Sequence, residues 1–137
     1  MRIVFDATFG EAWVDALTCF FRAHHEPRPR FQHIHDLFNR ELADDEWIPK
    51  FAETECMIIS GDSGRKQPRL PAVCKRYNKT HIILSATLQK CNKFTQARAI
   101  ICLWPEIVHA YNQPKGTRFQ IQPTDRRHES FRLVQKE

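Results

Sequence analysis

Apolar residues along this chain fall into two alternating patterns: short unbroken runs, and longer stretches in which they recur at helical spacing. Arg2 to Ala7 reads as a short buried strand, because its unbroken run Ile3-Val4-Phe5 has β-branched and aromatic members and is bounded by charge, with Asp6 at its C-terminal end. Thr8-Phe9-Gly10-Glu11 then has the spacing of a capping box, and Phe9, Trp13, Ala16, Leu17, Phe20 and Phe21 predict a helix up to about Ala23. His24 to Arg30 carries Pro27 and Pro29 and must be extended. Phe31 to His35 alternates apolar and polar, as a half-exposed or edge strand does, and Asp36 to Leu42 is a polar connection. The next helix takes in Trp47, Ile48, Phe51 and Ala52. Asp44 and Asp45 stand in or just before its first turn, and Pro49 is placed near its start because a deeper proline breaks the hydrogen-bond ladder.

Cys56 to Ser60 is continuously apolar up to its last residue and stops abruptly at Gly61-Asp62-Ser63-Gly64, the look of a central parallel strand that ends in a loop. Arg65 to Arg69 is a basic loop. Leu70 to Tyr77 predicts a short helix with Pro71 in its first turn, and Thr80 to Leu84 another buried strand. Lys93 to Asn112 is helical by periodicity with a kink at Pro105, Arg118 to Gln122 is a last edge strand, and Thr124 to Glu137 is a polar tail. Strands that alternate with helices call for right-handed crossovers. The expected fold is therefore α/β: a three-layer α/β/α sandwich around a mainly parallel sheet of four or five strands, with residues 1–123 as the domain and 124–137 as the tail. In such sheets the ligand site lies beyond the carboxyl ends of the central strands.

Composition narrows this picture a little. At 137 residues and 42% hydrophobic, the chain can close one core without staples. Its apolar stretches are too short to span a bilayer, and the N-terminal run is cut off by Asp6 too early for a signal peptide, so a cytoplasmic location is expected. Five cysteines with no C-x-x-C pair suggest neither a disulfide framework nor a zinc ribbon; they are read as reduced and mostly buried. A net charge of +5 is compatible with a polyanionic partner.

Asp6 and Asp62 are each the first acid beyond a predicted strand end, and Asp44 opens a helix between them. Carboxylates crowded at one rim of a sheet resist ionisation unless a cation sits among them. A hard divalent ion is the natural partner, since Mg²⁺ takes oxygen ligands, keeps waters and engages phosphate oxygens. Phosphodiester hydrolysis is the chemistry served.

Ile3-Val4-Phe5-Asp6, Asp44-Asp45-Glu46-Trp47-Ile48-Pro49 and Ile58-Ile59-Ser60-Gly61-Asp62, in that order and with Asp44 and Asp62 eighteen positions apart, resemble the PIN domain, in particular the PIN-like group related to VapC toxins. The resemblance covers roughly Arg2 to Leu84. It implies a PIN-like fold, catalytic Mg²⁺ or Mn²⁺ ligation by Asp6, Asp44 and Asp62, orientation of Asp62 by the Ser60 hydroxyl, and Asp45 as a reserve ligand. Cleavage of RNA, an antitoxin protein as partner and a homodimer are implied in the same way. Where many PIN domains carry another acid two residues after the one matched by Asp62, this chain has Gly64, which leaves a catalytically inert nucleic-acid- or protein-binding module as the alternative. Arg65 and Lys66, beside Asp62, are the candidates for gripping substrate phosphates. His33 and His35 are read as exposed edge-strand histidines rather than a metal site, with His24 and His25 nearby, and Trp47 and Trp104 as core. No serine or cysteine has the partner histidine that acyl chemistry requires.

Overall fold

The computed structural model describes residues 1–22, 29–38, 42–61 and 69–136, with the Arg69 side chain excepted. In chain order it runs β1 (Arg2–Phe5), α1 (Glu11–Phe21), β2 (Arg30–His33), α2 (Ile34–Leu37), α3 (Asp44–Trp47) leading into a 3-10 turn (Ile48–Phe51), β3 (Met57–Ser60), α4 (Arg69–Arg76), β4 (Thr80–Leu84), α5 (Ala86–Gln89), α6 (Lys93–Cys102), α7 (Trp104–Tyr111), β5 (Arg118–Pro123) and β6 (Phe131–Lys136). The strands form one sheet in the order β2-β1-β3-β4-β5-β6. Every neighbouring pair is parallel except β5 with β6.

The unbroken apolar runs have a simple cause. Ile3, Phe5, Met57, Ile59, Ile82 and Leu84 face one layer, where Val14, Leu17 and Phe21 of α1 meet Ile100 and Ile107 from α6 and α7. Val4 and Ile58 face the other, against Trp47, Ile48, Phe51 and the α4 residues Leu70, Val73 and Cys74. A strand buried on both faces cannot alternate apolar with polar. The architecture is the expected α/β/α sandwich with a mostly parallel sheet.

Six strands replace the expected four or five because the segment read as a polar tail supplies β6. Asp125 Oδ1 accepts from the Glu129 and Ser130 amides and closes the turn, and Phe131 and Leu133 pack on the core beside Phe119 and Ile121. β5 is consequently an inner strand. The long helix does not bend at Pro105 but ends at Leu103 and restarts, which puts the proline in a first turn where its missing N–H is no loss. α1 is capped by Gly10 without a side-chain hydrogen bond, so the T-x-x-E spacing at Thr8 is not a capping box. All five cysteines are unbridged; Cys56 and Cys74 are buried, whereas Cys19 and Cys102 are exposed, against the expectation of burial for most. Among the described residues no helix is long and apolar enough to cross a membrane.

Candidate metal centre

β1 ends where its ladder with β3 is still running: the Asp6 amide donates to the Ile59 carbonyl at 3.3 Å. The side chain of Asp6 is thus delivered at the carboxyl edge of the sheet, and it is only 4% exposed. Three donors hold it. Oδ1 accepts from the Thr8 amide at 3.1 Å and from the Thr8 hydroxyl, and Oδ2 accepts from the Ser60 hydroxyl at 2.7 Å. Ser60, the last residue of β3, therefore orients Asp6. Asp62, the residue the family resemblance gives it to orient, lies outside the described residues, as do Arg65, Lys66, His24 and His25.

Thr8 does more than hold Asp6. Its hydroxyl oxygen also accepts from the Gly61 amide at 2.7 Å, which ties the loop after β1 to the loop after β3. A Cβ at position 61 would stand 2.9 Å from that oxygen, so the approach requires glycine. Lys93, at the start of α6, reaches the same loop: its ammonium donates to the Thr8 carbonyl at 3.2 Å and sits over the Phe9 ring. Neither Thr8 nor Lys93 was among the sequence candidates.

Asp44 is the first residue of α3, with Ala43 in the cap position. Its Oδ1 accepts from the Trp47 indole at 3.0 Å. Trp47 itself is fully buried core, as expected. Asp45 beside it is exposed.

Electrostatics link the two acids. Burial pushes the Asp6 carboxyl above the usual aspartate range; the donations from Thr8 and Ser60 pull it back in part, and the charge of Asp44 pushes it further up. A buried carboxylate that feels a second one is the imbalance a dication relieves, so this donor set fits a hard divalent ion.

A second cluster lies where α1 meets β2 and α2. Ligand atoms of Glu11, His33 and His35 come within 4.8 Å of one another. His33 is fully buried rather than exposed. Its Nδ1 accepts from the His35 amide at 3.0 Å, so the proton is on Nε2, which donates to the Phe9 carbonyl at 2.6 Å. His35 Nδ1 meets Glu11 at 3.2 Å. With both His33 nitrogens already committed, the cluster is a latch between β2, α2 and α1.

Residues 1–83 match a family described as a PIN like domain. No curated protein and no solved structure matches the chain.

Proposed function

The chain belongs to the PIN-like domain family, and from that premise we propose that it is a metal-dependent ribonuclease with Asp6, Asp44 and Asp62 as its metal ligands. The observation that supports this most is the buried Asp6 carboxylate, held by three donors at the sheet edge within the field of Asp44. Bound among these acids, Mg²⁺ or Mn²⁺ supplies an activated water and offsets charge that develops on the phosphate oxygens. The chain's own residues do the rest. Thr8 and Ser60 fix the Asp6 carboxylate so that it need not reorient as charge moves, the role that outer hydrogen bonds play around metal ligands. Trp47 does the same for Asp44. Lys93, with Arg65 and Lys66, presents positive charge to the phosphates of the substrate. A cytoplasmic protein that cuts RNA must be restrained, and an antitoxin-like protein partner belongs to the same reading.

The test is cleavage of RNA in Mg²⁺ or Mn²⁺ by the wild type and by Asp6→Asn, Asp44→Asn and Asp62→Asn. Each substitution is expected to reduce the rate by about 100-fold or more, beyond the range seen for outer-shell changes. Wild-type activity in all three variants would remove the proposed chemistry. The inert-module alternative rests on Gly64, and it is the outcome if the wild type binds RNA with a steep salt dependence and never cuts it.

A further inference from the structure

At the opposite ends of the strands from Asp6, positive charge gathers where a sheet ordinarily shows little. His81 is the second residue of β4; Arg118 opens β5 directly beside it, and Lys136 ends β6 opposite Arg118. Ile82 and Leu84 pack on the layer of α1, α6 and α7, so the pleat turns His81 to the other face, where α4 passes. Together these groups, with Lys75 and Pro71 of α4, line a cleft of about 350 Å³. That is at the small end of the range for ligand sites.

His81 is 1% exposed, yet neither ring nitrogen has a hydrogen-bond partner among the described residues, and the Nε of Arg118 is also without one. Buried polar groups in native proteins are nearly always satisfied, so each exception asks what completes it. Here the answer has a sign. Lys75, Lys79, Arg118 and Lys136 line the cleft, and no acidic residue does so among the described ones. Lys79 is turned to the Thr54 carbonyl, which leaves its charge in the field but commits its ammonium elsewhere.

We propose that this cleft binds a phosphate group, with Arg118 and His81 at its floor and Lys75 and Lys136 at its mouth. Several cations without an acid among them favour a multiply charged anion over a single carboxylate. A guanidinium and an imidazole N–H also suit the oxygens of a phosphate. The cleft has room for a phosphomonoester such as a nucleotide, and equally for one backbone phosphate of an RNA strand. This site is separate from the metal centre and stands whether or not the chain is a nuclease.

Sodium pyrophosphate, titrated into the metal-free full chain in EDTA, is the probe. The histidine ring resonances of His81 are expected to shift saturably and the thermal midpoint to rise. Arg118→Gln, and the surface double variant Lys75→Gln with Lys136→Gln, are expected to weaken binding by about tenfold or more. Asp6→Asn is expected to bind like the wild type. Repeating the titration with a 5′-mononucleotide and with an RNA oligomer lacking terminal phosphates identifies the source: weaker RNA binding in the double variant assigns a backbone phosphate, and an effect confined to the nucleotide assigns a terminal one. Unmoved His81 resonances at millimolar pyrophosphate, equal affinity in the folded double variant, or a loss seen only in Asp6→Asn would overturn the proposal.

Discussion

Burial penalises the charge on the Asp6 carboxylate, and this conflict makes a prediction. Its folded-state pKa lies above the ordinary aspartate value, so what it adds to stability is complete below that value and is lost as the pH rises through the folded pKa. Above the folded pKa, with no cation bound, the buried charge is a burden, and Asp6→Asn should melt above the wild type in EDTA at alkaline pH. If Asp6 ligates a metal as proposed, Mn²⁺ should raise the midpoint of the wild type and leave Asp6→Asn almost unmoved. Melting curves with and without millimolar Mn²⁺ check both halves; a variant that melts lower in EDTA contradicts the first. Asp6 stood out in the sequence because it ends a run of buried residues, whereas Ser60 entered only through the family resemblance, as a partner of Asp62 rather than of the Asp6 carboxylate it holds. Thr8 did not stand out, since Thr8 and Glu11 at cap spacing offered a competing local explanation. The carboxylate and the Gly61 amide claim its hydroxyl instead.

At the level of elements, β1, β3 and β4 could be read from sequence because burial on both faces leaves an unmistakable apolar run. β6 could not. Its pattern, Phe131 and Leu133 among Arg132, Gln135 and Lys136, resembles solvated tail until β5 is there to pair with it. The break at Leu103 was hidden for a related reason: apolar spacing runs through it unchanged, and only the missing N–H of Pro105 marks a new start. The histidine pair was misjudged because alternation placed both on one strand face, whereas the strand ends at His33 and His35 belongs to α2. The latch they form has measurable weight. His33→Leu leaves the Phe9 carbonyl and the His35 amide without partners, and unmade bonds at such a site should lower the free energy of unfolding by about 2 kcal/mol. Urea denaturation measures this, and an unchanged midpoint would mean that the latch contributes nothing.

Across the whole molecule the sheet carries acid at one end and base at the other, and the basic end adds its own response to pH. Burial, then the neighbouring Arg118 charge, lowers the His81 pKa from 6.5 to about 3. The unfolded chain takes up that proton first, so stability is full above pH 6.5 and falls as the pH drops towards about 3, by about 1.4 kcal/mol for each unit. His81→Leu should thus unfold at a lower pH than the wild type; identical acid transitions would show that the ring is not held neutral. The contact between Gly61 and Thr8 matters on a longer timescale still. A Cβ at 61 would press on the hydroxyl of Thr8, so a residue other than glycine there calls for a shift or a change at 8 as well. A lineage that abandons the threonine also gives up one of the three donors to Asp6. Among descendants of this chain, a residue other than glycine at 61 would therefore mark those in which the hold on Asp6 has loosened.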